Sequence, residues 1–169
     1  MNVRVLLLMV AALSAVAPAA LAVSDDISAS ADVQTPLSVI GSSDLNFGIV
    51  FPGVNKSVAY GDAANAGQWD IVGAAGAEVT LSFTALPANL ESGGNRLAIV
   101  YGTTDAAHNT TDDPATGTAF DPAVGATADA HAVSGALFVW IGGTVQPLET
   151  QPTGVYTATI TLDVSYTGN

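Results

Sequence analysis

Five aspartates, Asp105, Asp112, Asp113, Asp121 and Asp129, crowd one stretch of the chain, and His108 and His131 lie in or beside it. Carboxylates on flexible backbone suit calcium, which takes six to eight oxygen ligands. Two facing carboxylates suit glycoside hydrolysis. A histidine beside a serine suits nucleophilic catalysis. None of these chemistries has its diagnostic spacing here. The calcium loop pattern of EF-hands is missing, as are H-E-x-x-H, the G-x-S-x-G elbow and the phosphate-binding glycine loops. Cysteine is absent, which removes thiolate zinc sites and thiol nucleophiles. Asp105, Asp112, Asp113 and Asp121 therefore stand as weak calcium candidates. A solvated acidic loop is the simpler reading of the cluster, and the inventory points to a non-enzymatic protein without a cofactor.

Trp69 and Trp140 lie inside strand-like patterns beside Ile71 and Ile141. That placement predicts core or interface roles rather than a sugar-stacking platform. Asn55-Lys56-Ser57 and Asn109-Thr110-Thr111 match the glycosylation sequon, a pattern that arises easily in a threonine-rich chain.

The elements that must position these residues begin after the first 22. Arg4, an apolar run from Val5 to Ala17 and the small residues Ala20-Leu21-Ala22 have the pattern of a cleaved secretory signal peptide. The expected mature chain, 23–169, is a single domain, with no later apolar stretch long enough to span a bilayer. It carries only Lys56 and Arg96 against 15 acids, a formal charge of −13. Nucleic acid and anionic membranes need basic patches, so neither is an expected partner. The expected location is secreted, at the cell surface or extracellular.

Period-2 runs recur through residues 23–169, separated by Gly, Pro, Asn and Asp, with no defensible 3.6-residue stripe. "DLNFGIVFPG" predicts a short strand ending at Pro52-Gly53. "QWDIVGAAG", "EVTLSFTAL" and "RLAIVYGTT" predict three more, with Val79, Leu81 and Phe83 facing in. "GALFVWIGGTVQPL" predicts two strands turned as a hairpin at Gly142-Gly143. Residues 105–131 are too weakly patterned to assign and read as a surface excursion. The sum is an all-β chain of about seven to nine strands, an immunoglobulin-like or Greek-key β-sandwich.

Three segments in order, "LNFGIVFPG", "AEVTLSFTALPANL" and "LFVWIGGTVQPLETQPTGVYTATITLDVSY", resemble a family of bacterial secreted β-sandwich domains of unknown function. That family opens on L-x-F-G-x-x-x-P-G and closes on a G-G-T element followed by G-x-Y and an alternating strand. It is similar in turn to spore coat protein U and to the archaic chaperone–usher pilins. The likeness covers most of residues 37–167. The chain departs from that wider group in lacking cysteine pairs and in having three residues after Tyr166. The resemblance implies a pilin-like fimbrial or surface-fibre subunit. It would assemble with copies of itself, aided by a periplasmic chaperone and usher, by adding a strand from one subunit to the sheet of the next. A stand-alone binding module for carbohydrate or calcium is the alternative on the same fold.

The two ends of the domain carry that reading. From Tyr156, every second residue is apolar: Tyr156, Ala158, Ile160, Leu162, Val164, Tyr166. This predicts one long strand that needs a neighbour on each side. The natural donor for a second molecule is Ile27, Ala29, Ala31 and Val33, an alternating run set apart by Pro36. The same four residues equally suit the molecule's own first strand, and the sequence leaves both open.

Overall fold

The computed structural model describes residues 23–128 and 135–168. The expected signal peptide, Asp129 and His131 lie outside the described residues. The chain falls into two compact units, 1–32 and 33–169. In the first, residues 23–32 are exposed and outside any strand.

The second unit is all-β, with twelve strands among the described residues. They are β1 (Ser38–Ser43), β2 (Lys56–Val58), β3 (Gly67–Val72), β4 (Val79–Ala85), β5 (Asn89–Ser92), β6 (Asn95–Val100), β7 (Ala106–Asn109), β8 (Thr118–Phe120), β9 (Ala126–Ala128), β10 (Ala136–Ile141), β11 (Gly143–Gln146) and β12 (Thr161–Tyr166). Every pairing is antiparallel. Three sheets result, with orders β1-β3-β10-β7-β8, β2-β11-β6-β5 and β12-β4-β9.

The count exceeds the seven to nine expected, chiefly because 105–128 is structured. It holds β7, β8, β9 and a 3-10 turn at Pro114–Thr116. Its inward residues include Ala106, Ala107 and Ala128, all buried. Alanine faces and three- or four-residue strands leave too little periodicity to read.

Two cores follow from strand alternation. In the first, Ile71, Leu137 and Val139 of the five-stranded sheet pack on Val79, Leu81 and Leu162 of the three-stranded sheet. Phe83 bridges this layer, 5.6 Å from Trp69 edge-on and 6.2 Å from Phe120 in a stack. The predicted inward set of "EVTLSFTAL" is thus met, with Phe83 half-buried. The second core joins Val58, Leu97, Ile99 and Val145 of the four-stranded sheet to Phe47 and Ala66. Here the facing layer is irregular chain rather than a paired sheet.

Two turns show how local sequence and topology part company. Gly93 and Gly94 both have positive φ, 55° and 86°, and close the β5–β6 hairpin with Ser92 opposite Asn95. A two-residue turn with both residues left-handed matches the strand twist. Gly142-Gly143, by contrast, makes no hairpin: β10 belongs to the five-stranded sheet and β11 to the four-stranded one. Gly142 is needed for space. A Cβ there would lie 2.2 Å from the Val58 carbonyl oxygen and 2.8 Å from the Tyr60 nitrogen. The chain crosses between sheets with its backbone pressed against β2, and the Gly142 N–H donates to the Asp105 carbonyl at 2.7 Å.

The C-terminal strand is shorter than its alternation predicts. Only Thr161–Tyr166 pairs with β4, with an irregularity between Thr161 and Leu162. Upstream, Thr157 makes a two-bond bridge to Glu91 on β5. β12 is not central either. It stands at the end of its sheet, with β4 as its neighbour.

Candidate functional site

"LNFGIVFPG" forms no strand. After β1 the pairing with β3 is irregular between Gly41 and Ser43, and the chain leaves the sheet. The Asn46 N–H donates to the Asn65 carbonyl at 2.8 Å, and the Asn46 Oδ1 accepts from the Gly48 N–H at 2.8 Å. Gly48 at φ 60° turns the chain. Phe47 is buried and Leu45 half-buried against the four-stranded sheet. The alternation is genuine, but it packs side chains without a sheet partner.

Across from it runs 151–160. Gln151 fixes its start: Nε2 donates to the Arg96 carbonyl at 3.1 Å and to the Tyr156 hydroxyl oxygen at 2.8 Å. The Tyr156 hydroxyl donates in turn to the Pro152 carbonyl at 2.8 Å. Tyr156 is thereby held over the second core, half-buried.

Between these two segments lies a groove of about 880 Å³. Leu97, Ile99 and Val145 of the second core line it, as do Trp69 and Leu90. Residues 43–50 form one wall and 151–160 the other. Its apolar rim is solvent-exposed: Ile49 is 78% exposed and Val155 81%. Phe51 and Leu148 extend that exposed surface, and the Gly53 N–H donates to the Leu148 carbonyl at 3.1 Å.

The assembly residues sort clearly. Tyr156 and Ile160 line the groove. Leu162 is in the first core, and Val164 and Tyr166 pack against it. The Tyr166 hydroxyl donates to the Thr35 carbonyl and accepts from the Ala74 N–H, both at 2.6 Å. This staples the last strand to the root of the N-terminal segment. Ile27, Ala29, Ala31 and Val33 are all exposed and in no strand. Trp140 is buried, whereas Trp69 is half-buried on the groove. The groove's other walls were hidden from sequence reasoning. The one usable signal was the Leu45/Phe47 alternation, which names a buried face but not the missing neighbour.

The acidic candidates do not converge. Asp105 Oδ2 accepts from the Gly102 N–H at 2.7 Å, and Asp121 Oδ1 from the Ala123 N–H at 2.8 Å. Asp113 caps the 3-10 turn through the Ala115 N–H. Asp112 Oδ1 accepts from Gln68 Nε2 at 3.0 Å. Among the described residues, no three metal-ligating side chains stand together. His108 lies 5.9 Å from the Phe120 ring, and the Asn109 amide of the second sequon is engaged by the Asp113 carbonyl and Thr116.

Tyr101 is the one perturbed group of the second core. Its hydroxyl oxygen is buried without a hydrogen-bond partner among the described residues. Burial pushes its phenol up to about 12. Comparison with family models, with curated proteins and with solved structures finds no match. The geometry is therefore the basis for a functional reading.

Proposed function

We propose that this chain is a secreted, non-enzymatic structural subunit with a pilin-like, immunoglobulin-like Greek-key sandwich, which assembles into surface fibres by β-strand complementation. Residues 27–33 of one copy enter the groove of the next. The observation that carries the reading is the groove itself: an apolar slot between 43–50 and 151–160, walled from Asp44 onward by backbone that lies outside any regular strand. An added strand there covers apolar floor and satisfies main-chain N–H and C=O groups together. Ile27 and Val33 supply the alternating apolar face. They are 96% and 91% exposed, so seating them elsewhere sacrifices no packing. A secretory signal, and a periplasmic chaperone and usher that cover the groove in transit, complete the proposal.

The test is Ala31→Asp in the chain from residue 23 onward. Sedimentation velocity and negative-stain microscopy should show wild-type polymers and a folded variant monomer. A buried, unpaired carboxylate in the groove is costly, whereas the same side chain in an exposed segment is not. Polymers of unchanged length from the variant, or a wild type that is monomeric at every concentration, would sink the reading.

A further inference from the structure

Residues 23–169 contain just two cations, and they are placed very differently. Arg96 lies next to inward Leu97 on β6, so it faces outward, with its Nε 3.4 Å from Glu91. Lys56 opens β2, the end strand of the four-stranded sheet, directly opposite Val145. Directly opposed residues of an antiparallel pair share a face. Lys56 therefore shares the inner face with Val145, and with Val58 two residues on. Its Nζ reaches the 43–50 wall, donating to the Ile49 carbonyl at 3.1 Å. A Cβ on Gly48 would stand 3.6 Å from it. Gly48, Ile49 and Val145 line the groove; Lys56 itself is exposed and not among the lining residues, and its ammonium meets the 43–50 wall at Ile49. Among the described residues it makes no ion pair.

The proposed occupant is acidic. Residues 23–36 carry Asp25, Asp26 and Asp32 and no cation. The net charge of this strongly acidic protein disfavours such a segment, and Arg96, the other cation, is already paired with Glu91. We infer that Lys56 selects and orients the incoming strand of a second copy by pairing with one of its carboxylates. This rests on the strand-complementation reading. Strand direction gives two geometries. Asp25 shares the face of Ile27 and reaches Lys56 if the strand's N-terminal end lies beside it. Asp32 alternates to the face opposite Val33, so if the strand runs the other way it meets Lys56 only over the edge of the strand.

An inward-pointing lysine on an end strand has another use, which is blocking unwanted edge pairing. The two roles separate by charge reversal. Lys56→Glu should weaken self-association about tenfold through like-charge juxtaposition. Combined with Asp25→Lys or with Asp32→Lys, one of the two double variants should recover wild-type association by sedimentation equilibrium, and its identity gives the strand direction. Lys56→Gln, which keeps a donor for Ile49, should fall between, with an unchanged melting temperature. Rescue by neither partner, while the wild type still polymerises, overturns the role of Lys56 and leaves strand exchange standing. A wild type that never associates overturns the parent reading.

Discussion

Ile27→Ala separates folding from assembly in one substitution. Ile27 is 96% exposed, so its side chain makes almost no contribution to the stability of its own molecule. Exposed substitutions of this kind stay within about 0.5 kcal/mol. In the groove of a second copy the same side chain would lose its water. Truncation to alanine removes three carbons, each contributing about 0.8 kcal/mol when buried, for a total of about 2.4 kcal/mol. At about 1.4 kcal/mol per tenfold, association weakens about 50-fold. Ala29 and Ala31 each contribute far less, so Ile27 and Val33 hold most of the apolar grip.

Two measurements on the same sample test this. Sedimentation equilibrium gives the association constant, and a thermal melt of the dilute monomer gives stability. The expected pattern is a large loss in the first and no change in the second. Trp69 lines the groove, so its fluorescence reports occupancy independently and should lose its concentration dependence in the variant. A melting temperature that falls while association holds would refute the reasoning, because Ile27 would then be packing within its own chain. Unchanged values in both would refute it as well.

Gly142→Ala should destabilise by about 3 kcal/mol, since the new methyl meets fixed backbone of β2 and cannot be relieved by a rotamer change. The corresponding drop in melting temperature is about 6–12 °C. Tyr101→Phe should raise stability by about 1 kcal/mol in urea unfolding, because a buried hydroxyl without a partner is deleted. The Tyr101 phenol is raised to about 12 in the folded protein. The unfolded chain therefore releases this proton first, and stability falls as pH rises from about 10 through 12. That alkaline loss should shrink in Tyr101→Phe. Tyr166→Phe should cost about 1–3 kcal/mol, leaving the Ala74 N–H and the Thr35 carbonyl without the hydroxyl, with faster hydrogen exchange at Ala74.

The all-β class was legible from the strand runs, and the inward face was legible at Val79–Ala85, where branched and aromatic side chains alternate with polar ones; Asn95–Val100 was legible as a strand but not by face. Alternation there states which side is buried. It failed at Ala106–Asn109 and Ala126–Ala128, where alanine supplies the inward face and the apolar contrast vanishes. Gly142-Gly143 failed for a different reason. Two glycines between apolar runs fit a tight turn, and they equally fit bare backbone threaded between layers. Only the position of Val58 and Tyr60 decides between them. The acidic run was legible as charge but not as geometry: Asp105, Asp113 and Asp121 each accept from a backbone N–H within three residues, and Asp112 accepts from the Gln68 amide.

The break in the C-terminal alternation has a specific cause, and it bears on the groove. Thr161–Tyr166 and Tyr156–Ile160 have the same period, yet only the first forms a regular ladder. The difference lies in the neighbour. β4 ends at Ala85, and Leu86-Pro87 follows before β5 begins at Asn89. Proline has no N–H to donate, which accounts for the ladder stopping at Thr161 opposite Ala85. Thr157 recovers the pairing on β5 through Glu91. A strand-like segment is thus held at both ends and left without a regular ladder between them, along the wall of the groove. Restoring a donor with Pro87→Ala should lengthen β12 toward Thr157. If the groove is a strand acceptor, the stiffened wall should bind a synthetic peptide of residues 23–36 more tightly than wild type does, read by Trp69 fluorescence. Slowed exchange at the 158–160 amides without tighter binding would show that this wall does not receive the strand.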